Sequence, residues 1–154
     1  MDTGIRRAEL AGLQIDHVSV ADREAYVMGK GRRARVAPFG HKTARTIDRY
    51  LLQREAHKRA DLPALWLAER GGALTAWGLD GIVERRGAQA GIPDLHLHVF
   101  RHTWANHAKA VMNDDEMMRL AGWKSRQVLT RYAATTADER ARETGKKYAL
   151  LDRI

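Results

Sequence analysis

The sequence has no cysteine among its 154 residues. That absence excludes disulfide bonds, thiolate metal sites and cysteine nucleophiles, and it favours an intracellular protein over a secreted one. A run of about 18 apolar residues, the length that spans a membrane, is also missing, so we expect no membrane span. Residues 1–7, MDTGIRR, lack the apolar core of a signal peptide. These absences together predict a cytoplasmic protein.

Sequence patterns for metal and nucleotide chemistry are missing as well. His98 and His102 are four residues apart, as zinc ligands on a helix often are. Residue 99 is valine, however, so the His-Glu-x-x-His pattern of metalloproteases does not occur. The sequence offers no obvious third ligand and no glycine-rich phosphate-binding loop. We therefore expect neither a metal ion nor another cofactor.

The chain does carry a strong positive charge. It has 27 lysine and arginine residues against 19 aspartate and glutamate residues, a net charge of +8 with histidine neutral. A basic balance of this size favours polyanionic partners such as nucleic acid; a solvated basic surface is the plainer alternative. A hydrophobic content of 44% over this length is enough for the core of one domain.

The periodicity of the apolar residues predicts an α+β fold, a mostly helical domain with a small three-stranded antiparallel sheet. The glycines at 29 and 31 indicate a tight, basic hairpin between the second and third strands. Thr3, Thr75 and Asn113 are expected to cap helices. The predicted strands are 13–18, 24–28 and 34–38, with another short one at 62–67. The predicted helices are 3–13, 43–58, 75–89, 98–112, 113–121, a short one carrying Tyr132, and a charged tail, 138–154.

The segment from His98 to Tyr132 carries the side chains best suited to phosphate chemistry. His98 and Arg101 are three residues apart, so a helix places both on one face, toward solvent or a groove. A guanidinium grips two phosphate oxygens, and an imidazole donates to a third or relays a proton. Trp123 offers an N–H donor, and Tyr132 a phenol that becomes a nucleophile beside cations. The buried face of that helix is expected to be Phe100, Trp104, Ala108 and Val111.

Two residues upstream fit the same chemistry. Arg6 lies near a predicted helix N-terminus, where backbone N–H groups already favour phosphate. Lys30 lies on the tip of the hairpin, from which it can reach a DNA groove or protonate a leaving oxygen. Each residue also has a plain structural explanation: a core aromatic residue for Trp123 and Tyr132, and a solvated surface group for the others. The residues taken singly leave these alternatives open.

The order and spacing of the whole set resemble the tyrosine recombinases, the phage integrase family. Residues 3–10, TGIRRAEL, resemble the first arginine box of that family, and Gly-Lys-Gly at 29–31 before the strand 35–38 is similar to its lysine hairpin. Residues 98–103, HVFRHT, resemble its His-x-x-Arg-His box, and residues 120–123, LAGW, its Leu-Gly-His/Trp segment. Tyr132 falls at the spacing of its nucleophile. The resemblance therefore covers most of the chain, from residue 3 to residue 132.

The resemblance implies the catalytic fold of that family and a site-specific recombinase that cuts and rejoins DNA in integration or recombination. Tyr132 would attack a phosphodiester and form a 3′-phosphotyrosyl link. Arg6 and Arg101 would hold the non-bridging oxygens and stabilise the charge of the transition state. Lys30 would protonate the departing 5′ oxygen.

Further roles are implied for residues around this set. His98 and Trp123 would donate hydrogen bonds to the phosphate, and His98 would also accept the tyrosine proton. Neither a metal ion nor ATP is needed in the family. Trp123 stands where many members have histidine. The residues expected to contact the DNA outside the catalytic set are Arg32, Arg33, Arg35, His102 and Lys124.

The resemblance also sets expectations about domains and partners. Tyrosine recombinases usually carry an N-terminal domain that clamps the other side of the DNA, and we expect residues 1–154 to be a single C-terminal catalytic domain without it. Affinity for double-stranded DNA should then be weak and strongly salt-dependent. The tail 138–154 resembles the segment that docks on a neighbouring protomer on DNA, with a helix folded back on its own domain as the alternative. We expect a bacterial or phage-encoded protein.

Two other functions fit the same residues. One is a DNA-binding fragment that is inactive without its N-terminal domain. The other is a type IB topoisomerase-like enzyme that relaxes DNA, because it shares the tyrosine chemistry. Trp123 and the short sheet hairpin resemble the recombinase branch more closely.

Overall fold

The computed structural model describes residues 2–29 and 34–130, together with positions 142 and 145. Within this part of the chain, the sequence runs from one short helix through a small sheet to a set of longer helices. The elements are α1 (Arg7–Ala11), a 3₁₀ turn (Ile15–His17), β1 (Val18–Ser19), β2 (Glu24–Met28), β3 (Ala34–Pro38), α2 (His41–Glu55), α3 (Ala76–Gln89), α4 (Leu97–Ala108) and α5 (Asp114–Ala121). Residues 126–130 are helical as well.

The strands form one antiparallel sheet in the order β1-β2-β3. Ala25 and Val27 on β2 and Ala37 on β3 are at most 4% exposed, while their neighbours along each strand face outward. This alternation is what a sheet with one buried face requires. The predicted α+β class with a three-stranded antiparallel sheet is confirmed.

Buried apolar side chains form two clusters, and the N-terminal segment is fastened to both. The indole N–H of Trp66, beside the first cluster, donates to the Leu10 carbonyl at 2.9 Å, and that of Trp104, in the second, donates to the Asp2 carbonyl at 3.0 Å. The first cluster is Leu13, Ala25, Val27, Ala37, Phe39, Ala44 and Leu65. The second is Trp104, Ala105, Ala108, Met117, Ala121, Trp123 and Leu129. Residues 2–10 are thereby held between the sheet and the helices α4 and α5.

Helix α1 is shorter than the sequence predicted. Prediction gave 3–13 with Thr3 as the cap, whereas the helix spans Arg7–Ala11 and Arg6 is its N-cap residue. Gly4 has a φ of +53°, a left-handed conformation that a continuous helix does not contain. The Glu9 carboxylate, rather than Thr3, accepts from the backbone at the helix start, from the Arg6 N–H at 2.7 Å.

Two of the predicted strands are largely irregular. Only Val18 of the predicted strand 13–18 belongs to a strand, and the predicted strand 62–67 makes only isolated bridges. The buried Arg54 side chain explains why residues 62–67 form no regular strand. It binds carbonyl oxygens of this loop, which are then unavailable to pair with a neighbouring strand. Its guanidinium donates to the carbonyls of Ala60, Leu62, Ala64 and Leu65.

The buried face of α4 also differs from the prediction. Trp104 and Ala108 are buried as expected, but Val111 is 80% exposed because the helix ends at Ala108. Arg101 is buried, and Phe100 is only half-buried. Helices α3 and α5 follow their predicted bounds closely. Thr75 and Asn113 cap them as predicted, each accepting from a backbone N–H.

Candidate active site

Four of the six predicted catalytic side chains line one cavity of about 660 Å³. They reach it from three parts of the chain: residue 6 from the start of α1, residues 98 and 101 from α4, and residue 123 from the segment after α5. The four are Arg6, His98, Arg101 and Trp123. These four side chains give the concave surface two guanidinium groups, an imidazole and an indole, and Arg7, Asp80 and His96 line the same cavity.

The C-terminal turn of α5, residues 120–122, holds the arginines. The last turn of a helix leaves carbonyl groups without partners inside the helix. Here the oxygens of three successive residues each accept from a different arginine: Leu120 from Arg35 at 2.8 Å, Ala121 from Arg101 at 2.9 Å and Gly122 from Arg6 at 2.9 Å. Cations are favoured at this end because the helix dipole makes it partially negative.

Gly122 makes this turn possible. Its φ of +64° is left-handed, a conformation that glycine adopts without penalty. The N–H of Trp123 then donates back to the Met118 carbonyl at 3.0 Å and closes the helix. A Cβ atom on Gly122 would lie 3.2 Å from the Arg35 guanidinium. The glycine of the LAGW segment is thus required both by the backbone and by the arginine packed on it.

Trp123 is a core residue that also lines the cavity. It is 7% exposed, and its ring meets that of Trp104 edge to face with centroids 6.2 Å apart. The Arg101 guanidinium carbon lies 5.4 Å from the Trp123 ring centroid, within the range of a cation–π interaction. The two sequence explanations of Trp123, core aromatic and site residue, are therefore compatible.

Arg101 is buried and lines the cavity, so of the two alternatives expected for it, solvent or a groove, only solvent is wrong. It is 5% exposed, and its guanidinium donates to the carbonyls of Gly4 and Ala121. A buried charge needs such partners, because desolvation without hydrogen bonds is costly. Arg101 reaches the cavity from beneath, while the Arg6 side chain is 42% exposed.

Glu9 is a member of this site that sequence reasoning missed. Its carboxylate accepts from Arg6 Nη1 at 2.9 Å and from both terminal nitrogens of Arg35, at 2.9 and 2.8 Å. Burial raises the pKa of the Glu9 carboxyl, but the hydrogen bonds and charges of Arg35 and Arg6 outweigh it and lower the pKa to about 2. The three-residue spacing from Arg6 was the available signal, since such a spacing is typical of a capping box.

Arg35 does not occupy the place expected of a DNA contact. Its side chain is 12% exposed, and its guanidinium is bonded to Glu9 and to the Leu120 carbonyl. The expectation that Arg35 contacts DNA is corrected, because its guanidinium is engaged inside the protein. The partner carboxylate is 26 positions away in sequence, so no local pattern shows the pairing.

His98 lies exposed beside the cavity, next to His102. Their ring centroids are 4.5 Å apart with the planes at 83°. Partial burial lowers the pKa of His98, and the positive charges of His102, Arg101 and His96 lower it further. A neutral imidazole is thereby favoured near pH 7, which is the form that accepts a proton. Half-buried His102 remains only an expected DNA contact.

Several predicted residues lie outside the described part of the chain: Lys30, Arg32, Arg33, Tyr132 and the tail 138–154 apart from positions 142 and 145. Lys124 is described and exposed, and its DNA contact remains a prediction. Among the described residues, no three His, Asp or Glu side chains are grouped so as to hold a metal ion. None of the helices in the described part has the length and apolar character needed to cross a membrane.

Comparison with known proteins gives the chain clear relatives. The sequence profile described as the phage integrase family matches residues 1–139. A protein named tyrosine recombinase XerC from Bifidobacterium longum (strain DJO10A) is 31% identical over 156 aligned residues, which cover 95% of this chain and 44% of the relative. The chain spans less than half the length of the curated relatives it matches.

Solved structures share the fold. The crystal structure of XerA recombinase matches with a TM-score of 0.77 and 23% identity, over 95% of this chain and 54% of that one. A post-cleavage complex of the XerH site-specific recombinase with a palindromic difH substrate matches with a TM-score of 0.77 and 21% identity, over 94% of this chain and 42% of that one. At these identities the likeness shows the fold.

Proposed function

The chain belongs to the phage integrase family, and we propose that it is the catalytic domain of a site-specific recombinase that cuts and rejoins double-stranded DNA. The observation that carries the proposal is the single cavity lined by Arg6, His98, Arg101 and Trp123. A scissile phosphate seated there meets two guanidinium groups and two N–H donors. Such preorganised donors stabilise the charge that develops in phosphoryl transfer.

The proposed step is a transesterification. The Tyr132 oxygen attacks phosphorus, and its proton passes to neutral His98. The bond from phosphorus to the 5′ oxygen breaks, and that oxygen takes a proton from Lys30. The phosphotyrosine keeps the energy of the diester, so the 5′ hydroxyl of another strand reverses the step by attacking it. Neither hydrolysis nor ATP is involved.

The charges of the described residues support this chemistry. Arg6 and Arg35 share the Glu9 carboxylate, Arg101 is bonded to the Ala121 carbonyl, and Arg7 in the cavity wall is paired with Asp80. The surplus is positive where the phosphate would sit, and exposed Arg6 can swing toward a ligand while Arg101 stays bonded beneath. The two arginines therefore suit different oxygens of one phosphate.

We propose double-stranded DNA as the partner, in the cytoplasm of a bacterium that encodes the protein itself or through a phage. The chain covers 44% of the XerC protein. This coverage agrees with a DNA-clamping domain contributed from outside residues 1–154. Binding by these residues alone then depends mostly on phosphate contacts and weakens steeply with salt. The tail 138–154 is proposed to dock on a second protomer on the DNA.

Covalent trapping tests the function without knowledge of the target sequence. The substrates are a library of DNA duplexes with a randomised core, each with a nick just 3′ of the phosphate to be cut. After cleavage the short fragment with the 5′ hydroxyl diffuses away, and the protein stays covalently attached to the DNA. We expect an adduct that resists denaturant and chelator, and whose DNA can be sequenced. The variant Tyr132→Phe should form none, whereas Tyr26→Phe, on the outer face of the sheet and 47% exposed, should react normally.

Other outcomes separate the competing functions. Sequence-specific binding in gel shifts without any adduct would indicate a DNA-binding module. Relaxation of supercoiled plasmid without sequence preference and without strand exchange would indicate a topoisomerase. An adduct that persists in Tyr132→Phe would refute the role of that tyrosine.

A further inference from the structure

We propose that Arg35 is a positioning residue for the reaction: it locks Glu9 and the end of α5 together so that Arg6 and Arg101 are set for the phosphate. The inference rests on the proposed function for its effect on rate. Arg35 itself is held away from the cavity, and it is not among the residues that line it.

Every nitrogen of the Arg35 guanidinium has a defined partner. Nη1 and Nη2 donate to the two oxygens of Glu9 at 2.9 and 2.8 Å, and Nε donates to the Leu120 carbonyl at 2.8 Å. The planar fork of arginine makes this bidentate contact and a third bond at once, whereas lysine carries a single ammonium group without that geometry. The site therefore requires an arginine and not only a positive charge.

One partner of Arg35 bonds Arg6 directly, and the other adjoins the carbonyls that bond Arg6 and Arg101. Glu9 accepts from the Arg6 guanidinium, and residues 121 and 122, next to Leu120, accept from Arg101 and Arg6. Loss of Arg35 frees the carboxylate from its bidentate partner and one carbonyl at the end of α5 from its donor. We expect both arginines of the cavity to shift as a result.

Charge gives Arg35 a second effect. Two guanidinium groups share the Glu9 carboxylate, so the cluster keeps one net positive charge. Without Arg35, the carboxylate belongs to Arg6 alone and neutralises it. A neutral Arg6–Glu9 pair offers less attraction to a phosphate, most of all in the transition state where negative charge builds up.

Arg35 also connects β3, the strand that follows the basic hairpin, to Glu9 and to the end of α5. It pairs with Val27 across the sheet, one residue after the start of β3. Residues 30–33 precede β3 directly, so the bond to Leu120 sets the base of the lysine hairpin against α5.

The experiment compares Arg35→Met, Arg35→Lys and the control Arg49→Met, which removes an exposed charge from α2. At saturating DNA we expect Arg35→Met to slow adduct formation by about 10- to 100-fold, the size known for groups that orient the ligands of a metal. Its DNA affinity should fall no further than that of the control. Arg35→Lys should recover only part of the rate, because it restores the charge without the fork.

A second measurement does not depend on DNA cleavage. By NMR titration, the pKa of Glu9 should be near 2 in the unaltered chain and should rise in Arg35→Met. An unchanged pKa, or a folded Arg35→Met that cleaves at the rate of Arg49→Met, would overturn the proposal. If the unaltered chain forms no adduct while the pKa rises as expected, the recombinase function fails and the Arg35 contact to Glu9 stands.

Discussion

Arg6 and Arg101 donate to the carbonyl oxygens of two adjacent residues, Gly122 and Ala121, at the end of α5. The helix end therefore sets the spacing of two guanidinium groups that lie 95 positions apart in the sequence. Trp123 follows in the same turn, so the third donor of the cavity is placed by the same backbone. A change in this turn is expected to disturb all three together.

Gly4→Ala tests how the N-terminal segment is seated. A Cβ atom at Gly4 would lie 2.3 Å from Trp104, and the φ of +53° disfavours any other residue. Overpacking and left-handed strain together predict a loss of about 3 kcal/mol in the free energy of unfolding. Gly91→Ala is the matched control: its φ is +71°, but no atom lies within 4 Å of the new methyl, so only about 1 kcal/mol should be lost. Equal losses in urea denaturation would contradict the proposed contact.

Glu9→Gln should change how stability depends on pH. The carboxyl has a pKa of about 2 in the folded protein against an ordinary value of 4.5. Because the folded-state pKa is lowered, the ionised carboxylate stabilises the fold fully above pH 4.5, and this stabilisation is lost as the pH falls toward 2. The contribution to the free energy of unfolding is on the order of 3 kcal/mol. The difference in unfolding free energy between the two chains should therefore shrink over that pH range. A difference that stays constant from pH 6 to pH 2 would count against the ion pairs.

The cleavage rate should report the neutral form of His98. Burial and the nearby positive charges lower the pKa of His98 from its ordinary value of 6.5. We therefore expect the cleavage rate to begin to fall only at a pH below that ordinary value. His102→Ala removes one of those charges, raises the pKa of His98 and should move the acid limb of the pH–rate profile upward. His107→Ala, at the exposed end of α4, should leave the limb in place. An acid limb unaffected by His102→Ala would show that another group controls it.

Lys30→Ala tests the proposed acid. A general acid contributes about 10²- to 10⁴-fold to rate, and the variant should slow cleavage of ordinary DNA within that range. A substrate with sulfur in place of the 5′ bridging oxygen has a leaving group that needs no proton, so Lys30→Ala should cleave it nearly as fast as the unaltered chain. Equal slowing on both substrates would assign Lys30 to DNA binding instead.

Local patterns predicted the regular elements well where side chains repeat. The strands 24–28 and 34–38 coincide with β2 and β3, and the helices capped by Thr75 and Asn113 begin where predicted. The prediction was wrong where distant groups intervene. Gly4 has a left-handed conformation against Trp104, and the predicted helix 3–13 begins only after it. Arg54 binds carbonyls of the predicted strand 62–67.

The candidate site shows the same division. Motif spacing identified Arg6, His98, Arg101 and Trp123, and the structure brings them to one cavity. Glu9 and Arg35 were not recognised as partners, because an ion pair between residues 26 positions apart has no periodicity to reveal it. Burial of Arg101 was missed for a similar reason: its partners, Gly4 and Ala121, come from elements far away in sequence.

Residue types and their order were sufficient to predict the class of chemistry, since a guanidinium can bind phosphate, an imidazole can transfer a proton and a phenol can act as a nucleophile in any fold. They also excluded cysteine chemistry and predicted a basic, DNA-directed α+β domain. Tertiary structure alone determined that Arg101 is buried beneath the cavity, that Arg6 is exposed at it and that Arg35 is held away from it. Those positions depend on desolvation and on carbonyl oxygens at the end of a helix, and both exist only after distant segments have packed together.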